Sequence, residues 1–486
     1  MTTDNILLYA YTCESEAMKK KKEVPLLILQ MKMNKMIVFI FTLLFLSTPS
    51  DPPTVCIIGS GIGGSSVAHF LRQYSDDQSS PSIGQIRIFE RRGRVGGRMA
   101  TVSLPGDTFE AGAVMLHPKN YHAVNFVKFL NLTVNWDDED DLSSFGIWDG
   151  HKFVFKTLDS NSKFPFFPED RIATQFIPHV LSLWILSLQN DCESRPVFET
   201  VDEMLKWAGL YNLTTRTLQE ELVDVRLSPL LIQELVTGIT RIKYGQSVSI
   251  SGLAGVVSLA GSGGGWWAVE GGNWQMAAGL INTSDVELHL NEEIPSISYL
   301  RDYYELNSTN GNSYTCDISV VATPLDEINI RFMPAFLIPI RQLHHTHVTF
   351  VRRFLNPAYF GLHCASTIPE LVGTVENSDI PFLTISVLKQ HSKNDMSYRI
   401  SSHETVADAL LDHIFRCADG DNLNKLGSLS SLQGSRKNAA SSMETSAVAA
   451  ENVAQLILSR SSSQVKSSSS NLKSSSPDAD NLHSDL

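Results

Sequence analysis

The chain has 486 residues, 43% of them hydrophobic and 9% aromatic, which is enough for two or three domains with their own cores. The formal net charge is -13 and the Lys and Arg residues do not gather into one stripe, which excludes a protein that binds nucleic acid by neutralising phosphates. Six scattered cysteines with no C-x-x-C spacing suggest neither a zinc site nor a redox dithiol.

The string "MKMNKMIVFIFTLLFLSTPSDPP" has lysines, an apolar stretch from Met36 to Leu46, then small residues and prolines. That is the layout of a secretory signal, and the stretch is short for a membrane span. Residues 1–50 are therefore read as an N-terminal extension with a signal peptide at about 31–50, starting at Met31, Met33 or Met36. An uncleaved anchor is the other reading. Four sequons, at Asn131, Asn212, Asn282 and Asn307, agree with a secretory route.

Val55 to Ile58 reads as a buried strand, in which Cys56 is a small core residue. Gly59-x-Gly61-x-x-Gly64 follows it and opens a helix over Ser65 to Tyr74. "QIRIFE", ending at Glu90, is the next strand. A glycine turn between strand and helix lets backbone N–H groups approach a pyrophosphate. An acid at the end of the second strand accepts from a ribose hydroxyl. The unit binds a dinucleotide. A second turn, Gly96-Gly97-Arg98, follows the acid. A nicotinamide cofactor has no use for it, whereas an extended flavin nucleotide needs another close backbone approach and a cation, which Arg98 supplies. Arg91, Arg92 and Arg94 on their own read as a solvated basic turn. The order acid, Gly-Gly-Arg, then "FEAGA" (Phe109 to Ala113) resembles flavoproteins of the amine-oxidase and phytoene-desaturase type. No second G-x-G-x-x-G of this quality occurs, so a separate NADPH site is not expected.

A helix is expected after His117, and the region from Thr200 to Arg241 is mostly helical by its spacing of leucines and valines. "AVEGGNWQMAAGLI" is a turn feeding a helix, and "VELHL" and "ISVVATP" are strands. Residues 417–439 show no strand pattern and few large apolar residues. "SSMETSAVAAENVA" is helical, and the serine-rich stretch 459–486 is read as a disordered tail.

The strings "AGAVMLHPKNYH", "RIKYGQSVSISGLAGVVSLAG", "WWAVEGGNWQMAAGLI" and "SSMETSAVAAENVA" together resemble the prenylcysteine oxidases, and among them the plant farnesylcysteine lyases. The likeness runs with gaps from about Thr54 to Arg416 and again from Ala440 to Leu458. It implies an α/β fold: a discontinuous Rossmann-like FAD-binding domain (54–116, 252–328 and 440–458) with an inserted α+β substrate domain (117–251 and 329–416). It also implies a secreted, lysosomal or vacuolar enzyme that uses FAD and dioxygen to cleave a prenylcysteine into cysteine, a prenyl aldehyde and hydrogen peroxide. Peripheral membrane association through the prenyl substrate follows from the same likeness. In that family a longer segment, rich in aromatics and prolines, stands where this chain has 417–439, and the wall of the substrate slot is expected to differ here.

Carried over residue by residue, the cofactor set is Gly59, Ser60, Gly61, Gly63, Gly64, Glu90, Arg91, Gly96, Gly97 and Arg98, with Met443 and Glu444 at the start of a flavin-contacting helix. His117 and His122 lie in a shared string, and either one positions the attacking water or is a paired structural histidine. Trp266 and Trp267 read as core, with an isoprenoid pocket as the alternative. His344, His345 and His347 suggest a metal, but on a strand His344 points away from the other two, so none is expected. A flavin amine oxidase and a catalytically silent lipid-binding form are the rival readings.

Overall fold

The computed structural model describes residues 9–11, 51–75, 82–104, 106–136, 144–157, 195–260, 265–325, 329–335, 344–392, 395–416, 425–433 and 442–473. The signal-peptide reading of 31–50, Cys13, Cys192 and Cys417, and residues 474–486 lie outside this set.

Strand β1 (Val55–Ile58) is buried along its whole length and passes through Gly59 into helix α1 (Ile62–Ser75). Strand β2 (Ile86–Glu90) lies parallel to it. A hairpin of β3 (Thr101–Leu104) and β4 (Asp107–Glu110) follows, then α2 (Tyr121–Phe129) and β5 (Phe145–Trp148). A mostly helical stretch begins at Val201 and reaches α3 (Thr237–Tyr244). Beyond it come α4 (Trp274–Thr283), β6 (Val286–Leu290), an antiparallel meander ending in β7 (Ser313–Cys316), and β8 (Ile318–Val321). The second half holds β9 (His344–Leu355), β10 (Leu371–Thr374), β11 (Thr384–Ser392), β12 (Asp395–Ser402) and β13 (Lys425–Gln433). It ends in α5 (Met443–Lys473).

β8, β1, β2 and β6 form a parallel sheet in that order, with Tyr9–Tyr11 antiparallel on the outer edge of β8. Alternation along β1 sorts its side chains between two cores. Val55 and Ile57 face the helices, where Val67 and Leu71 of α1 pack with Met276 and Leu280 of α4 and with Ala450, Val453 and Ile457 of α5. Cys56 and Ile58 face the meander, against Ile297 and Leu306. The result is helices, parallel sheet and meander in three layers, built from segments far apart in sequence.

A mixed sheet forms the second body. Phe153–Lys156, β5, β10, β11, β12 and β9 are neighbours in that order, and β13 pairs with the far edge of β9. The face that carries Phe145 and Ile147 receives α3: a Cβ added to Gly238 would meet Ile147 Cδ1 at 2.3 Å. Val348 and Phe350 of β9, farther along the same face, receive Leu104 and Ala111 from the β3–β4 hairpin of the first body. That contact joins one face of the mixed sheet to the hairpin that follows the second glycine turn.

Three sequence expectations need correction. Cys56 is half of a disulfide with Cys316, with Cα atoms 5.9 Å apart and 260 residues between them, so β1 is stapled to the end of β7. Closing so long a loop costs the unfolded chain roughly 5–6 kcal/mol of conformational entropy in the chain-entropy account. Residues 425–433, in the segment read as lacking a strand, pair antiparallel with β9. Edge pairing supplies the order there that the leucine spacing does not. Helix α5 continues past Ser459 to Lys473, because extending an anchored helix costs far less than starting one.

Candidate cofactor and substrate site

The first glycine turn and the second touch. Gly61 bridges to Gly96, and the Gly96 N–H donates to the Ser60 carbonyl at 3.1 Å. Glu90 locks the first turn from below: its Oε2 accepts from Ser60 Oγ at 2.7 Å and Ser60 N at 3.2 Å, and its Oε1 accepts from Arg92 N at 3.0 Å. A carboxylate has about four lone-pair positions, so capacity remains for a ribose hydroxyl. Gly63 opens α1 beside Gly64, where the first-turn N–H groups have no intrahelical acceptor. Arg91, Arg92 and Arg94 are exposed. The Arg98 side chain is reached by solvent yet surrounded by protein, and that desolvation lowers its pKa.

Two glycines of the motif do different things. A Cβ on Gly64 would lie 2.0 Å from the Gly59 carbonyl oxygen, so α1 could not pack on β1. On Gly61 a Cβ would meet only Gly97 Cα at 3.7 Å and Gly96 O at 3.9 Å, ordinary contact distances. Protein packing therefore does not require glycine at 61. Its bare face lies where the two turns meet, and a Cβ there would fill the space a diphosphate needs. The residues present fit a dinucleotide cofactor held across both turns.

The two candidate histidines have separate fates. His122 Nδ1 is 2.9 Å from Glu444 Oε1 and Nε2 is 3.2 Å from Glu451 Oε2, so both ring nitrogens are occupied. Glu444 also accepts from the backbone N–H groups of His122 (2.9 Å) and Ala123 (3.2 Å), capping α2. Glu451 further binds Tyr74 Oη at 2.6 Å and Arg195 Nη2. Burial opposes the charged imidazole, but the two carboxylates outweigh it and raise the His122 pKa to about 9. His122 has no nitrogen left to hold a water. It is a buried clamp joining α2 to α5. Met443, 9% exposed, sits in the helix-side core at the start of α5, and the Glu444 side chain serves the clamp.

His117 Nδ1 accepts from Lys119 N at 3.1 Å, which assigns the proton to Nε2. Among the described residues no hydrogen bond engages Nε2. Burial, Lys119 and Lys243 lower the His117 pKa to about 4, so the ring is neutral. Its edge meets Trp266, whose face carries Lys243 Nζ at 3.4 Å from the ring centre. Burial lowers the Lys243 pKa to about 7. Trp267 is core at 2% exposed, while Trp266 lines this cluster. Lys243 lies inside the quoted string "RIKYGQ", but nothing in the spacing marked it. Among the described residues no group of three His, Cys, Asp or Glu side chains is placed so that it could hold a metal ion.

A sequence profile of prenylcysteine lyase matches residues 182–427, and one of an NAD(P)-binding Rossmann-like domain matches 57–130. The chain is 54% identical over 449 residues to a farnesylcysteine lyase of Arabidopsis thaliana, covering 84% of this chain and 89% of that one. The chain belongs to the prenylcysteine lyase family. A prenylcysteine oxidase 1 of Homo sapiens is 30% identical, over 76% of this chain and 78% of its own. Among solved structures, a cyclohexylamine oxidase from Brevibacterium oxydans IH-35A superposes with a TM-score of 0.53 at 16% identity, covering 84% of this chain and 99% of that one. That likeness shows the fold: this member of the prenylcysteine lyase family has the Rossmann-like α/β architecture of the amine-oxidase type that the sequence implies.

Proposed function

We propose that the protein is a flavin-dependent oxidase that cleaves a prenylcysteine, with FAD as the cofactor and dioxygen as the electron acceptor. The observation that carries this reading is the likeness, over most of the chain, to a farnesylcysteine lyase. The double glycine turn, Glu90 and Arg98 support a flavin nucleotide held through its diphosphate and ribose. A bound flavin supplies an acceptor for two electrons. Hydride leaves the prenyl carbon between sulfur and double bond, where the cation is shared with both. Water adds there, and the hemithioacetal collapses to cysteine thiol and prenyl aldehyde. Dioxygen takes up the electron pair and two protons to give hydrogen peroxide.

Within this scheme the glycine turns bind and Arg98 neutralises. His117 offers a neutral Nε2–H donor to a water near the Trp266 ring. Peripheral association through the prenyl chain of the substrate is part of the proposal; among the described residues no helix is long and apolar enough to cross a membrane. Purified protein given farnesylcysteine in air should release thiol, farnesal and peroxide in equal amounts. Turnover of a diamine instead, with farnesylcysteine untouched, would select the amine-oxidase reading.

We also propose a secretory route. The buried Cys56–Cys316 disulfide and the exposed positions of Asn131, Asn212 and Asn282 support it. Protein recovered from its native cells with thiols blocked at lysis should carry Cys56 joined to Cys316. Both cysteines recovered as alkylated thiols would instead place it in a reducing compartment.

A further inference from the structure

The face of the mixed sheet that receives α3 and the β3–β4 hairpin carries a cation among apolar and hydroxyl side chains. Residues directly opposite one another on paired strands share a face. The pairings Phe145–Leu371, Leu371–Ser386, Ser386–Arg399 and Arg399–Phe350 therefore trace one row across β5, β10, β11, β12 and β9. The next row on that face runs Ile147, Gly373, Thr384, Ser401, Val348. Helix α3 covers the end with Ile147, and the β3–β4 hairpin covers the end with Phe350. Ser386 and Arg399, both half-buried, lie between the two covers.

Arg399 is not satisfied there. Among the described residues its buried Nε has no hydrogen-bond partner and its guanidinium makes no ion pair. Glu110 is the one carboxylate whose charge reaches it. That carboxylate is engaged by its Oε1, which accepts from Asn273 N at 2.5 Å at the start of α4, while its Oε2 is buried and unpaired. Burial lowers the Arg399 pKa to about 10 in spite of Glu110 and raises that of Glu110 to about 7. A desolvated, incompletely paired guanidinium in the middle of a sheet face costs stability and asks for an anion. The cofactor's diphosphate is served from the other body by the glycine turns and Arg98. A prenylcysteine brings one anionic group, its α-carboxylate, beside an ammonium and a long apolar chain.

We propose that Arg399 binds the α-carboxylate of the substrate's cysteine, fixing which end of the molecule the slot holds. The assignment rests on the prenylcysteine reading above. The planar guanidinium offers a carboxylate two parallel donors, which orients the cysteine as well as attracting it.

The test compares S-farnesylcysteine with S-farnesylcysteamine, which keeps the amine and thioether and lacks the carboxylate. On wild-type holoenzyme the acid should be the better substrate. Arg399→Gln should lower kcat/KM for the acid by about 10–100-fold, chiefly through KM, and leave the cysteamine derivative within about twofold. Its visible flavin spectrum and flavin content should match wild type. Arg399→Lys, which keeps the charge without the fork, should fall between the two on the acid alone, and it decides the matter if the Gln variant does not fold. Equal losses on both substrates would overturn the proposal. So would loss of flavin from the variants, which would assign Arg399 to the cofactor. Wild-type holoenzyme that turns over neither compound would instead overturn the prenylcysteine reading itself.

Discussion

His122→Ala should lower the stability of the folded protein by about 3–5 kcal/mol, the usual result of removing one partner from a buried ionic cluster. The Glu444 and Glu451 side chains are 2% and 8% exposed, and the substitution would leave them facing an empty space. The cluster also predicts a pH signature. The folded pKa of His122, about 9, lies above the ordinary value of 6.5. Its stabilisation is therefore complete below about pH 6.5 and is lost as pH rises through 9, an effect on the order of 3 kcal/mol. Lys243 acts in the opposite direction: its folded pKa, about 7, lies below 10.5, so its penalty is full below pH 7 and fades above it. The difference between wild type and His122→Gln removes the Lys243 contribution. Urea unfolding at pH 6.5 and pH 9.5 should show the stability gap shrinking at the higher pH. A gap that stays constant would mean that His122 is neutral in its clamp.

Gly61→Ala should leave the fold intact and abolish tight cofactor binding. The space around Gly61 accepts a Cβ, so stability should stay within about 0.5 kcal/mol of wild type. The same methyl group blocks the backbone's approach to a diphosphate, and flavin retained on purification should fall at least about tenfold. Gly64→Ala is the contrasting variant. Its Cβ would strike the Gly59 carbonyl, and the protein should lose stability along with its flavin. Thermal melts of the two apoproteins, beside their flavin content, separate the outcomes. If Gly61→Ala keeps its flavin, the double turn is not where the diphosphate lies.

The first strand and its helix were legible because the chemistry is local. Four apolar residues in a row, a glycine turn and an amphipathic run specify a buried strand and a packed helix without reference to the rest of the chain. Glu444 and Glu451 are seven residues apart, two helical turns, so the sequence already places them on one face. That this face is buried against His122, 322 residues away from Glu444, is a property of packing. Cys56 pairs with Cys316 for the same reason: the meander brings β7 over β1. In β13, Leu426, Leu429 and Leu432 recur every three residues, which suits no strand, and only the open edge of β9 makes one of it. Arg399 had no signal at all in "SYRISS". Its significance comes from the strands on either side, which show that the arginine lies in the middle of a face.

A single anaerobic titration tests the central claim most directly. Purified protein should be yellow, with flavin absorbance near one equivalent per chain. Adding farnesylcysteine without oxygen should bleach it in proportion to the thiol released, and admitting air should restore the colour. A yellow protein that farnesylcysteine does not bleach, or a protein that takes up no flavin when supplied with FAD, would contradict the account.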